Sequence, residues 1–547
     1  MSRISGADAI VESLLANGTD TVFGLPGGQL DHLFDAVYRV GDKVRLIHTR
    51  HEQGAAYMAF GYAQTTGKEG VYTVVPGPGL LNTTAALCTA WACNSPVLAI
   101  SGQVHLKGID SGYGHLHEIP DQLGLIRHLT KWAERINHPA ETPAVMQRAF
   151  SELRSGRPRP VEIEMPMDVM SAEAVVAPAC RATASAPPPL DDQLIKRAAR
   201  VLAGASRPMI VIGSGVLHAA PELLAVAERL QAPVMAKRKG KGVIPDDHYL
   251  SQNLPAGHKL WGKADAVLAI GTRLKMPLTM WGHDEGLKIV RVDIDPVELT
   301  RIIKPDVGIV GDAKVFLAAL LTELESTGAP VASRKDELQA LKSEINAAMR
   351  REIAPQMAFL DVIRNALPRD GYFIDEVTQV GFASWSGFPV YQPRHFVSAC
   401  QQGTLGYGYA TALGVAAAHR DKAVVQVSGD GGFMFNVQEL STAVHYQLKL
   451  VTIIFNDNTF ANVQRQQDEW FDGRRICSDL TNPDFVKLAG SFGAAGYRVS
   501  SPSELASVLP RAFDGKGPVI IEVTIRERMP SPWQFILMAQ NRKSLCS

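Results

Sequence analysis

The chain has 547 residues, 55 Lys and Arg against 55 Asp and Glu, and 46% hydrophobic residues; at roughly 150 residues per domain this length holds about three domains. The balanced charge, without a long basic tract, excludes the electrostatic footprint of a nucleic-acid binder. No stretch approaches the roughly 18 unbroken apolar residues of a membrane span, and the start MSRISGADAI lacks a signal-peptide profile, so no membrane partner and a cytoplasmic location are expected.

Apolar runs of strand length alternate with helix-length segments, which argues for an α/β protein built on parallel sheets. Near the N-terminus, Val44 to His48 and Val71 to Val75 read as strands, Glu52 to Gln64 and Leu80 to Cys93 as helices, and Pro96 to Ser101 as a strand again. The Ala- and Pro-rich segment around Val175 to Leu190 reads as a linker. A polar, helix-prone stretch after Leu321 marks a second boundary, which gives units near 1–175, 190–330 and 355–547. In the middle unit, VIGSG at Val211 to Gly215 is either a structural Rossmann-like turn or a nucleotide site, because His218 stands where the dinucleotide fingerprint has its third glycine. The run Lys237, Arg238, Lys239, Lys241 is expected to be a solvated loop, and the middle unit carries no convincing ligand signature. The six cysteines, Cys88, Cys93, Cys180, Cys400, Cys477 and Cys546, contain no CxxC pair and are expected to be ordinary reduced thiols.

The strongest local signal is in the last unit. Strand-like Ala423 to Val427 runs into Gly429, Asp430, Gly431 and Gly432; a helical stretch from Asn436 to Tyr446 follows, then strand-like Leu450 to Phe455 ends at Asn456, Asp457 and Asn458. Asp430 and Asp457 are 27 residues apart, the span of one strand-helix-strand unit, so both are expected at the carboxyl ends of parallel strands, where open α/β sheets bind ligands. Two carboxylates and a main-chain carbonyl are hard oxygen ligands suited to Mg²⁺, which shares its shell with phosphates and water. Small glycines beside Asp430 let backbone N–H groups approach a phosphate. A tight glycine turn with solvent-facing acids is the plain alternative.

This pattern resembles the thiamine-diphosphate-dependent enzymes. VFGLPGGQLDHLFDAV, RHEQGAAYMAFGYAQTTGK, PGPGLLNTTAAL, ISGQV and the tail MPSPWQF look like the acetolactate synthase branch, over nearly the whole chain. HLHEIPDQLGLIRHLTKW and ANVQRQQDEW are closer to the catabolic, flavin-free type, so FAD is not expected. Gln29 departs from the alanine or lysine of the two types, and Glu118 from a glutamine. The resemblance implies three doubly wound domains: pyrimidine-binding, central Rossmann-like and diphosphate-binding.

It also implies the roles of individual residues. Glu52 would contact the aminopyrimidine ring and promote loss of the thiazolium proton, and its carboxyl is expected to be buried. Pro78 and Asn82 would line the pyrimidine pocket. Leu405 would support the bend of the cofactor, and the Gly403 carbonyl would accept its amino group. Asp430, Asp457 and the Thr459 carbonyl would hold Mg²⁺; Val377, Gln379, Gly429, Gly431 and Gly432 would lie along the diphosphate. Gly28 would present a backbone amide near the substrate oxygen. His117, Glu118 and Gln466 are candidates for orienting substrate or moving a proton, and Arg127 and Lys131 lie nearby or are simply surface charge. The implied reaction is decarboxylation of a 2-oxo acid such as pyruvate with ligation to a second one; a decarboxylase or 2-hydroxyacyl lyase is the alternative, and a flavin-linked oxidoreductase a third. Because Glu52 and Asp430 lie in different units, and the cofactor of this superfamily bridges subunits, a homodimer at least is implied, with a homotetramer common in the branch.

Overall fold

The computed structural model describes residues 2–542, apart from 327, 329 and 330. Cys546 lies outside the described residues. Three six-stranded parallel sheets follow one another along the chain. Their strands are near-continuous apolar runs such as PMIVI at Pro208–Ile212 and AVLAI at Ala266–Ile270, buried at every position, as expected of parallel sheets covered by helices on both faces.

The first sheet uses Thr21–Gly24, Arg45–His48, Gly70–Val74, Val97–Gln103, Trp132–Arg135 and Val161–Pro166. The third uses Tyr372–Ile374, Phe396–Val397, Val424–Gly429, Val451–Asn456, Ala495–Val499 and Val519–Thr524. Numbered within each unit, both have the strand order 2-1-3-4-6-5, whereas the middle sheet has the Rossmann order 3-2-1-4-5-6. The first and third units are thus two copies of one topology. The middle unit is tied to the first by buried Arg157, which reaches Glu298 at 3.1 Å and Asp293 at 3.5 Å.

Two helices join the repeated units. Helix α1, Glu52–Thr66, and helix α2, Gly408–Ala418, each connect the second strand of their unit to the third. Both are rich in Ala and Gly and are buried nearly all round, which suits helices in an interior rather than on a surface. They pack against each other closely: a Cβ on Gly61 would meet the Thr411 carbonyl, and one on Gly414 the Met58 carbonyl. As Gly61 lies opposite Thr411 and Met58 opposite Gly414, the helices run antiparallel.

Several boundaries differ from the sequence reading. The helical segment after Gly429 begins at Asp430 itself, passes through a 3₁₀ stretch at Met434–Glu439, and ends at His445. The segment expected as one helix from Leu80 to Cys93 is two, Pro78–Asn82 and Thr84–Ala92. Glu173–Val176, at the start of the expected linker, pairs antiparallel with Ser2–Ser5. Among the described residues no helix is long and apolar enough to cross a membrane.

Candidate active site

The third unit gathers most of the expected ligands at the carboxyl edge of its sheet. Strand Val424–Gly429 and strand Val451–Asn456 are parallel neighbours, with Gly429 opposite Phe455, so Asp430 and Asp457 leave the sheet side by side. Asp430 accepts from Asn482 Nδ2 at 2.6 Å, and Asp457 Oδ1 accepts from the Thr459 N–H at 3.0 Å and its hydroxyl at 2.8 Å. Burial, then the neighbouring charge of Asp457, pushes Asp430 up to about 6; burial also raises Asp457. A buried and a half-exposed carboxylate side by side are what a divalent cation would neutralise. No cluster of three His, Cys, Asp or Glu suited to a metal occurs among the described residues, so the other ligands would be a carbonyl such as that of Thr459, phosphate oxygens and water.

Gly429 to Gly432 and the turn through Val377 and Gln379 form the rest of this half. Gln379 is buried, and its Oε1 has no hydrogen-bond partner, a polar atom available to a ligand. Gly432 lets two side chains close in: a Cβ there would lie 3.3 Å from Leu405 Cδ1 and from the Glu376 carboxyl carbon. Leu405 therefore sits beside the Asp430 turn, half-exposed, with Gly403 on the open edge next to it.

Glu376 was missed by the sequence reading. Its buried carboxylate accepts the N–H groups of Gly406 at 3.1 Å and Gly408 at 2.8 Å, clamping the turn between Leu405 and α2. Burial pushes this acid up to about 7. An isolated Glu in EVTQVG carries no motif, and its partners lie 30 and 32 residues away.

The second half lies on the first unit. Glu52 opens α1 behind the His51 N-cap, and Asn82 Nδ2 donates to Glu52 Oε2 at 3.0 Å. Contrary to expectation Glu52 is not buried; it is half-exposed, with Pro78 and Asn82 exposed beside it. Gly28 is also exposed, whereas Gln29 is buried. Gln29 Nε2 donates to the Leu116 carbonyl at 3.0 Å, and His117 Nδ1 lies 3.1 Å from Gln29 Oε1. The Gln29 amide, held by Leu116, presents its oxygen to Nδ1 and so orients the His117 ring. The loop is pinned from below where Gly77, at φ +57°, leaves room for the His117 carbonyl; a side chain there would be both strained and in collision.

Three other candidates have structural duties. The Glu118 carboxylate turns back on its own loop and accepts the N–H groups of Gly112, Gly114 and His115. Lys131 donates to the carbonyls of Glu152 and Ser155, and Arg127 to that of Ala133. Gln466 is half-buried on helix Ala461–Trp470 of the third unit.

Within one chain the halves do not face each other. Along the antiparallel pair, the level of Glu52 corresponds to the C-terminal end of α2, and the start of α2, beside Leu405, to the C-terminal end of α1. Twelve residues of helix separate those levels, roughly 18 Å at 1.5 Å per residue.

The middle unit corrects two expectations. Lys237, Lys239 and Arg238 do not lie in a solvated loop: Lys239 reaches the Cys93 carbonyl, Arg238 donates to the Cys400 carbonyl at 2.6 Å, and buried Lys241 pairs with Asp246 at 3.1 Å. A cavity of about 530 Å³ opens at the carboxyl edge of the middle sheet, lined among others by Gly213, Gly215, Arg273 and Asp293. The glycines of VIGSG pack against Gly271, where a Cβ on either would collide.

The three parallel-sheet units define an α/β protein whose first and third units share one topology and carry the two candidate sites. Family models agree along the chain: residues 4–125 match the N-terminal TPP binding domain of thiamine pyrophosphate enzymes, 195–320 the central domain, and 376–523 the C-terminal TPP binding domain. The chain belongs to the thiamine pyrophosphate enzymes. It is 33% identical over 531 residues to a probable 2-ketoarginine decarboxylase of Pseudomonas aeruginosa, covering 95% of this chain and 94% of that one. It is 34% identical over 551 residues to a probable acetolactate synthase large subunit of Methanocaldococcus jannaschii, covering 95% and 92%. It is also 31% identical over 555 residues to the large subunit of acetolactate synthase isozyme 3 of Escherichia coli, covering 96% and 95%.

Proposed function

We propose that the protein decarboxylates a 2-oxo acid such as pyruvate and joins the remaining fragment to a second 2-oxo acid, in the manner of an acetolactate synthase of the flavin-free type. Bound thiamine diphosphate supplies the carbon nucleophile that adds to the oxo acid and stabilises the charge left by CO₂. Asp430, Asp457 and the Thr459 carbonyl would hold Mg²⁺, with Gly429 to Gly432, Val377 and Gln379 along the diphosphate. Leu405 and Gly403, on the turn that Glu376 clamps, would support the cofactor. Glu52, positioned by Asn82, carries a proton to or from the pyrimidine ring. Gly28, Gln29 and His117 would lie beside the reacting carbonyl, with His117 a candidate to exchange a proton; Gln466 is assigned to the acceptor.

One observation supports this reading: the start of α1, with Glu52, and the start of α2, beside Leu405, lie at opposite ends of the helix pair, roughly 18 Å apart. A cofactor contacted by both Glu52 and Leu405 needs two chains, each lending its first unit to the other's third, so we assign a homodimer at least and a homotetramer as the common outcome. Incubation of the protein with Mg²⁺, thiamine diphosphate and pyruvate is expected to yield 2-acetolactate; rapid turnover to acetaldehyde alone would overturn the ligation step. The second reading, a simple decarboxylase or lyase, is supported by His117 as a proton donor at the carbonyl and by the likeness to the Pseudomonas enzyme. A product screen over a panel of oxo acids separates the two. FAD stays outside the proposed cofactor set on the strength of Gln466; because the middle unit does hold a cavity, the visible absorbance of purified protein is the deciding measurement, and a yellow protein would reverse this assignment.

A further inference from the structure

Cys93 and Cys400 come from the first and third units and meet at the edge of the middle-unit cavity, whose wall both help to form. Cys93 ends helix Thr84–Ala92, and Cys400 opens the short turn that leads through Gly403 to Leu405. Cys93 Sγ donates to the Ser398 carbonyl at 3.5 Å and the Cys400 N–H donates to the Ser398 hydroxyl at 3.3 Å, so a single residue holds both cysteines. Both thiols are free.

Two further features set this pair apart from scattered thiols. Cys400 has φ +56°, the left-handed region that strains a residue with a side chain and is ordinarily given to glycine. Cations hold the backbone of the pair: Lys239 donates to the Cys93 carbonyl and Arg238 to the Cys400 carbonyl, with Lys237 alongside. The Cys93 thiol, Arg238 and Lys239 hold the Cys400 thiol below its ordinary range, while burial raises Cys93. One sulfur is disposed to be a thiolate and the other its proton-bearing partner, the division of labour of an attacking and a resolving cysteine.

We propose that Cys93 and Cys400 are a redox-active dithiol that closes into a disulfide on exposure to a hydroperoxide and so locks the cofactor-bearing turn of the third unit to the first. The Cys400 thiolate attacks the terminal peroxide oxygen, the O–O bond breaks, and an alkoxide or hydroxide leaves and takes up a proton. The Cys93 sulfur then displaces hydroxide from the Cys400 sulfenic acid as the Cys93 proton leaves with it as water. Two thiols lose two electrons, and the peroxide gains them. The link spans the junction of two units and shortens the freedom of the five-residue path from Cys400 to Leu405. Its effect on turnover rests on the proposed role of that turn in cofactor binding; the link itself does not.

The test treats the full-length protein with an equivalent of hydrogen peroxide, then alkylates remaining thiols and maps peptides by mass. The expected result is a species lighter by two hydrogens, a peptide joining Cys93 to Cys400, a higher melting temperature, and a several-fold fall in turnover, all reversed by dithiothreitol. Cys400→Gly removes the thiol and the left-handed strain together, so it is expected to fold at least as stably and to lose both the mass change and the oxidant sensitivity; Cys477→Ser is expected to retain both. Absence of the joined peptide, or a link to another cysteine, overturns the dithiol. A Cys93–Cys400 link that leaves turnover unchanged overturns its coupling to the cofactor turn, and loss of activity in the reduced protein on any oxo acid is read separately, as failure of the proposed reaction.

Discussion

The carboxylate of Glu439 accepts the N–H of His51 at 3.0 Å and that of Arg50 at 3.1 Å, so an acid of the third unit sets the turn from which Glu52 starts. Glu439 is buried and also takes the Thr442 hydroxyl at 2.7 Å. Glu439→Ala leaves two partly buried backbone donors without their partner, which costs roughly 1–3 kcal/mol. A lower urea midpoint and weaker thiamine diphosphate binding are expected together; a variant as stable as the parent would show that the cap is dispensable.

Glu52→Gln keeps the shape of the side chain and removes its capacity to carry a proton. Turnover is expected to fall by about 100-fold or more, the range for a lost acid–base group, with cofactor affinity nearly unchanged by calorimetry. Full activity in this variant would refute the role assigned to Glu52.

Asp430→Asn, or chelation of Mg²⁺ from the parent, removes half of the charge pair that would hold the metal. Cofactor binding is expected to weaken at least tenfold in either case, and added Mg²⁺ should restore only the chelated parent. Binding indifferent to chelator would remove the metal from the site.

Glu376 gives a pH signature of defined sign. Its pKa rises from 4.5 to about 7 on folding, so between those values the folded state binds more protons than the unfolded one and stability falls as pH rises. The penalty grows from about pH 4.5 and levels off above about pH 7, reaching ~3 kcal/mol at 1.36 kcal/mol per unit. Glu376→Gln lacks this slope. The stability difference between the parent and the variant, measured by denaturant titration at several pH values, should shift toward the variant by that amount across the window; parallel curves would mean that burial does not act on Glu376 in this way.

Much of the site was legible because its chemistry sits in short segments. GDG, RHEQG and PGPG each compress a turn and its ligand into a few residues, and the strands around them are continuous apolar runs that only a covered parallel sheet accommodates. What escaped was long-range. Glu439 acts on residues 388 and 389 positions away, and the Gln29–His117 pair spans 88; neither leaves a local period. The Lys237–Lys241 run was misread because a cluster of cations ordinarily seeks water, and only the folded seam supplies the carbonyls, sulfurs and Asp246 that let it turn inward. Glu52, expected to be buried, stands half-exposed at the start of α1, where exposed Asn82 is its hydrogen-bond partner.

The antiparallel packing of α1 and α2 sets a rule of shared liability. If each chain lends one half to each of two sites, a chain defective at both Glu52 and Asp430 spoils both sites of any mixed pair it enters. Activity of randomly reassorted mixtures would then follow the square of the intact fraction, where self-sufficient chains would give a straight line. Mixing Glu52→Gln chains with Asp430→Asn chains, each inactive alone, would conversely regenerate one intact site per mixed pair, about a quarter of full activity for equal amounts.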